Sequence, residues 1–276
     1  MSSEFAISII IPFFNTGTKI IKCLDSLNNQ DIKENIELIF INDFSNDNTL
    51  QIIESYGLKK KYKIISLKKN FGPSGARNEG IKEAKGSYIF FQDADDLIEL
   101  DALSKLYHTA IKDNYDMVFC DKKRVQYNIN HREGVFAFNE DKIFDYKDIT
   151  NEIKKRITDP EYTVGVAGCH GKLIKKSIID NNKILFENEL RFLEDEIFII
   201  DILGCSNKIK YIREQLYIYN INPKEATARS DAFSYPFPIK NFKLMSNHIK
   251  KNLYNRKLNS EEILNFVNQA LIYYSI

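Results

Sequence analysis

Tryptophan is absent, methionine and proline are scarce (three and six residues), and the four histidines are dispersed along the chain. With no paired histidines, spacing alone draws no zinc site. The four cysteines, Cys23, Cys120, Cys169 and Cys205, form no CxxC pair and read as reduced thiols acting as small hydrophobes. An excess of charge of one sign is also missing. Lys plus Arg total 39 against 38 for Asp plus Glu, a formal net charge of +1, which excludes the strongly basic balance of a nucleic-acid binder. No apolar run approaches the roughly 18 residues needed to span a bilayer. The opening Met1-Ser2-Ser3-Glu4 lacks the basic segment of a secretory signal. The expectation is a cytoplasmic protein, soluble or peripheral.

What is present is a regular alternation over the first 120 residues. Ile7 to Ile11 is a β-branched run stopped by Pro12, and Ile36 to Ile41, Lys63 to Leu67, Ser87 to Gln92 and Asp116 to Cys120 are further strand-like runs. Between them lie helical patterns: residues 18–29, a helix opening at Asp47, Ser74 to Lys85 closed by Gly86 as a C-terminal stop, and Leu100 to Lys112. This alternation implies an α/β domain with a mainly parallel sheet. Beyond residue 121 the pattern blurs. Phe192 to Leu203 reads as a helix, Gln215 to Tyr219 as a strand, and the chain from Ile239 onward as two helices.

Each of the first four strands ends in a polar or glycine-containing element: Asn15, Asn42-Asp43, Asn70-Phe71-Gly72 and Asp93-Ala94-Asp95. In an open parallel sheet these ends share one edge, where ligands bind. Asp93-Ala94-Asp95-Asp96 packs three carboxylates into four residues. Such crowding favours a hard divalent cation, Mn²⁺ or Mg²⁺, which completes its shell with substrate phosphates. A helix start is the plainer reading, good for Asp96 or Asp101 and poor for Asp93. The turn from Asn70 to Gly80 feeds a helix whose N-terminus and Arg77 could face a diphosphate; the plainer alternative is a turn with a surface arginine. It is neither a Walker loop nor a dinucleotide fingerprint.

Taken together, the blocks Ser8 to Asn15, Ile39 to Thr49, Asn70 to Gly80 and Gly86 to Asp96 resemble the inverting GT-A glycosyltransferases of family 2, with order and spacing agreeing over about residues 5–120. Lys172-Leu173 is similar to that family's short "KL" element, and Phe192 to Phe198 to its acidic "ED" helix start. The resemblance implies a GT-A, Rossmann-like fold over residues 1–230, split into a nucleotide-sugar half (1–120) and an acceptor half (121–230), with a helical extension over 231–276. It implies a UDP-sugar donor lined by Pro12, Phe13, Phe14 and Asn15, with Asp43 accepting from the uracil ring. Arg77 and Ala94 join this donor set, Asp93 faces the ribose or sugar, and Asp95 ligates Mn²⁺ or Mg²⁺ on the diphosphate. Asp195 is the implied general base with Glu194 beside it, and His170 and Lys172 stand on the acceptor side. The acceptor that the resemblance implies is a glycan or lipid-linked saccharide of bacterial surface polysaccharide, lipooligosaccharide or capsule.

The chain departs from the family pattern at three positions. Asn42 replaces the first acid of an Asp-Asp pair, Phe44 replaces a glycine and is expected to make the pocket floor bulkier, and Gln92 replaces an aliphatic residue. Tyr217, Tyr219 and Thr227 to Ser230 are candidates to close over the donor. The stripe Phe242, Met245, Ile249 and Leu253 is expected to pack on the domain or on a second copy, with an anionic surface at the inner face of the cytoplasmic membrane as the other option. The rival classes are a sugar-1-phosphate nucleotidyltransferase, which lacks its glycine-rich basic loop here, and a catalytically inactive glycan-binding module, against which Asp195 argues. A phosphatase would carry its DxD after the first strand.

Overall fold

The computed structural model describes residues 4–126, 134–135, 137–158, 168–190 and 194–221, together with positions 244, 247, 248, 250–252 and 254. In chain order the strands are β1 (Phe5–Phe13), β2 (Ile36–Asn42), β3 (Lys61–Ser66), β4 (Gly86–Phe91), β5 (Leu97–Ile98), β6 (Met117–Gln126), β7 (Gly134–Val135), β8 (Lys142–Phe144), β9 (Lys172–Lys175) and β10 (Ile209–Ile221). The helices are α1 (Ile20–Asn28), α2 (Thr49–Ser55), α3 (Gly72–Glu83), α4 (Ala102–Lys112), α5 (Tyr146–Thr158), α6 (Lys176–Asn182) and α7 (Glu194–Cys205), with a short 3₁₀ turn at Gly17–Lys19 before α1.

The strands form one sheet in the order β3-β2-β1-β4-β9-β6-β10-β5, with β7 on β6 and β8 on β10. Strands β3, β2, β1 and β4 run parallel, as the apolar runs predict. β6, the next long strand in the chain, does not pair with β4. β9 inserts between them, antiparallel to both, and β6 then pairs in parallel with β10. The sheet is therefore mixed, with a parallel core.

Alternate residues of each central strand serve opposite faces, so both faces must be covered. Ile10, Ile39, Ile41, Ile89, Phe91, Met117 and Phe119 join one core cluster with residues of α3, α5, α6 and α7. Ile7, Ile9, Ile11, Leu38, Phe40, Tyr88, Phe90 and Val118 join the other, with α1, α2 and α4. Three layers, helix on sheet on helix, result.

Gly86 departs from its expected role. α3 ends at Glu83 with Ala84 in an extended conformation, and Gly86 already belongs to β4. A Cβ there would stand 2.5 Å from the backbone nitrogen of Ser8, so glycine is needed for the close approach of β4 to β1 rather than for a helix stop. Farther on, the described part of the C-terminal segment packs on α7. His248 and Asn252 both hydrogen-bond Asp201, and Gly204 lets Asn252 approach. The stripe residues Phe242, Met245, Ile249 and Leu253, and Thr227 to Ser230, lie outside the described residues.

Candidate functional site

The ends of β1, β2 and β4 and the start of α3 enclose a cavity of about 690 Å³. All nine residues expected on the donor side, Pro12, Phe13, Phe14, Asn15, Asp43, Arg77, Asp93, Ala94 and Asp95, line it. Sequence reasoning gave no role to Thr16 and Lys19, which line it too. Neither belongs to a recognisable pattern, so nothing in the sequence singles them out.

Asp43 leaves β2 and accepts the backbone N–H groups of Phe71 (2.7 Å) and Gly72 (2.8 Å). These are orphan donors at the start of α3, so the carboxylate caps the helix while it lines the cavity. Burial raises its pKa above the ordinary carboxylate value, and the two N–H bonds oppose that rise. Asn42 stands where an acid was expected. Its amide donates to Ser66 Oγ and accepts Ser45 N–H, so it braces the turn after β2. Phe44 adopts a left-handed backbone (φ 69°), and its side chain is 56% exposed and is not among the residues lining the cavity. The bulkier floor expected from it is not found, because the reversed backbone carries the ring away.

The three crowded carboxylates have separate fates. Asp93 pairs with Arg77 Nη2 at 3.0 Å and His170 Nε2 at 2.8 Å. Burial would raise its pKa, but His170 and Arg77 outweigh burial and hold it well below the usual carboxylate range. Asp96 is buried, accepting from the Tyr217 hydroxyl (2.8 Å) and the Asn220 N–H (2.8 Å). Its pKa is pushed up to about 7 by burial and by the neighbouring charges of Asp93 and Asp95. Asp95 alone is exposed at the cavity. Crowding is thus relieved largely by the protein's own cations and hydroxyls, and the case for a metal narrows to Asp95. Its oxygen is the donor type a hard cation takes, so the residues fit one.

Arg77 is buried, not a surface residue. Besides Asp93, its Nη1 meets Glu194 Oε1 at 3.3 Å, and its guanidinium stands 5.3 Å from the centroid of the Phe186 ring. The contact draws the first turn of α7, with Glu194, Asp195 and Glu196, to the edge of the donor cavity. Acids suit a helix N-terminus. Glu194 has its pKa raised, by burial first and then by Asp195, while Arg77 opposes the rise.

His170 arrives through a bridge between its backbone and Phe91 at the end of β4. Burial would lower its pKa, but Asp93, and after it Cys169, outweigh burial and lift it to about 10. Lys172 is buried on β9, its ammonium 5.6 Å from the centre of the Phe119 ring, and it is not among the residues lining the cavity. Tyr217 is also buried. It braces Asp96 and accepts the Asp93 N–H at 3.3 Å, rather than closing over the donor. His170 was expected on the acceptor side with Lys172, and it meets Asp93 because β9 pairs with β4.

The family model for glycosyl transferase family 2 matches residues 8–181. Among curated relatives, the poly(ribitol-phosphate) beta-N-acetylglucosaminyltransferase TarP of Staphylococcus aureus is 34% identical over 80% of this chain and 64% of its own length. The uncharacterised glycosyltransferase EpsJ of Bacillus subtilis is 30% identical over 80% of this chain and 62% of its own. The chain thus spans a little under two thirds of each of these relatives. The crystal structure of residues 1–349 of Staphylococcus aureus TarS with UDP-GlcNAc superposes with a TM-score of 0.76 at 23% identity, covering 98% of this chain and 72% of that one, which matches the GT-A fold. The strand-end blocks, the cavity they enclose and the family match lead to one conclusion: the chain belongs to glycosyl transferase family 2.

Proposed function

We propose that the chain is an inverting glycosyltransferase that moves a hexosyl or N-acetylhexosaminyl group from a UDP-sugar to a hydroxyl of a glycan or lipid-linked acceptor. Residues 1–120 supply the donor side and 121–230 the acceptor side. Assembly of a bacterial surface polymer is the setting that the names of TarP and its kin support. The observation that carries the reading is the Arg77 bridge, which ties the donor acid Asp93 to the first turn of α7. A base on one side of the sugar and a diphosphate cradle on the other is the arrangement that inversion needs.

In this reading Asp195 takes the proton of the acceptor hydroxyl as its oxygen attacks the anomeric carbon. The bond from that carbon to the diphosphate oxygen breaks on the opposite face, and UDP departs. Held by Asp95, Mn²⁺ or Mg²⁺ would neutralise charge growing on the diphosphate. Arg77 keeps Asp93 and Glu194 in place.

The test is Asp195→Asn, assayed for UDP-sugar affinity and for transfer across a panel of UDP-sugars and acceptors. Transfer is expected to fall roughly 100-fold or more while donor affinity stays near the parent's. Transfer retained at near the parental rate would make Asp195 a helix-start carboxylate and move the search for the base to Glu194 and Glu196.

A further inference from the structure

Beside the proposed base lies a group of side chains of different chemistry. Cys169, His170 and Asp195 each offer a donor atom, and these atoms lie within 4.8 Å of one another. Cys169 and His170 are buried and Asp195 is partly so. Among the described residues this is the one such cluster containing sulfur, nitrogen and oxygen. It differs from the carboxylate site at Asp95 in offering a thiol and an imidazole. Thiolate and imidazole suit a borderline-soft ion such as Zn²⁺ and leave Mn²⁺ or Mg²⁺ to carboxylates and phosphates.

Two further features favour an ion here. His170 gives Nε2 to Asp93 at 2.8 Å, the carboxylate–histidine pairing that orients a metal-binding imidazole. Gly168, in a left-handed conformation (φ 66°), leaves space beside the other nitrogen. A Cβ on it would stand 2.9 Å from Asp195 Oδ2, 3.4 Å from Lys122 Nζ and 3.8 Å from His170 Nδ1, so a side chain there would crowd all three groups. At donor separations of this size, an ion at the centre needs each ligand to move inward by roughly 0.5–1 Å to reach ordinary zinc distances. That is a side-chain adjustment.

Lys122 and Arg77 stand near. A dication held by one thiolate and one carboxylate carries no net formal charge, so the occupied site adds none beside these two cations.

We propose that Cys169, His170 and Asp195 form a second cation site that takes Zn²⁺, and that its occupation stops transfer by engaging the Asp195 carboxylate. The inhibitory part rests on Asp195 being the base; the site itself does not. An ion there withdraws the oxygen lone pair that would accept the acceptor's proton.

The experiment titrates the full chain, at saturating Mn²⁺, with Co²⁺ as a spectroscopic stand-in for Zn²⁺. A thiolate-to-cobalt charge-transfer band in the near ultraviolet is expected, saturating at one equivalent and displaced by Zn²⁺. Cobalt that replaces Mn²⁺ at Asp95 gives no band that depends on Cys169. The band is expected to vanish in Cys169→Ser and to persist in Cys205→Ser, the variant that removes the partly exposed thiol. In parallel, Zn²⁺ is expected to lower the parent's transfer rate at least tenfold, and to change the Cys169→Ser rate less than twofold relative to that variant's own zinc-free rate. No band in the parent, or a band that survives in Cys169→Ser or disappears in Cys205→Ser, overturns the site. A Cys169-dependent band with unchanged transfer upholds the site and overturns Asp195 as the base.

Discussion

His170 Nε2 lies 2.8 Å from Asp93 Oδ2, an ion pair that joins the turn before β9 to the acid at the end of β4. The two residues are far apart in the chain and meet through the antiparallel pairing of β9 with β4. Because the imidazole pKa is raised to about 10 from an ordinary 6.5, the folded state holds this proton more tightly than the unfolded chain. The pair's stabilisation is complete below the ordinary value and is lost as pH rises through the folded one. Asp93, held low, behaves in the opposite sense, and its contribution is lost only in strong acid. His170→Asn is therefore expected to destabilise the protein by about 2 kcal/mol near pH 6. The gap in melting temperature between parent and variant should close as pH rises toward 10. A gap that stays constant over that range would mean that His170 is not held as a cation.

Asp95→Asn addresses the donor side. Asp95 is exposed at the cavity, so the change costs the fold little and removes an anionic oxygen from the place where a diphosphate-bound cation would sit. The expected result is loss of the Mn²⁺-dependent part of UDP affinity, with melting temperature within about 1 °C of the parent, as for most surface changes. Calorimetric titration of UDP with and without Mn²⁺ measures it. Equal UDP affinity in parent and variant with Mn²⁺ present would exclude Asp95 as a ligand.

Gly80 holds α3 against β1. A Cβ at this position would come within 2.3 Å of Ile10 Cγ2, and Ile10 is fully buried in the core. Gly80→Ala is expected to cost about 2 kcal/mol by overpacking. Because α3 carries Arg77, UDP affinity should fall with it. Denaturant unfolding and UDP titration on one variant check both effects.

Phe44 keeps a left-handed backbone despite its side chain. Relief of that strain, about 1–2 kcal/mol, should exceed the entropic cost of glycine, about 0.5–1 kcal/mol. Phe44→Gly is expected to raise stability by about 0.5 kcal/mol, and Phe44→Ala, which keeps the strain, to give no gain. Chemical denaturation of the two variants separates them.

The sequence by itself determined the alternation of β1 to β4 with their helices and the residues that end each strand. Those features are local. A β-branched run needs a buried strand, and a polar pair that follows it must emerge at the sheet's edge, so the local pattern already sets Asp43, Asp93 and Asp95 along one edge. It also carried the acidic start of α7, though not its distance from the donor acids.

Tertiary structure alone decided the rest. β9 is four residues long, too short for a period to declare itself, and its place between β4 and β6 is a long-range pairing that no window of sequence encodes. That insertion brings His170 to Asp93. Three adjacent carboxylates looked alike in the chain, yet burial and partners gave one to Arg77 and His170, one to Tyr217 and Asn220, and one to the cavity. Charge in a fold depends on what surrounds it, and those surroundings come from residues tens of positions away.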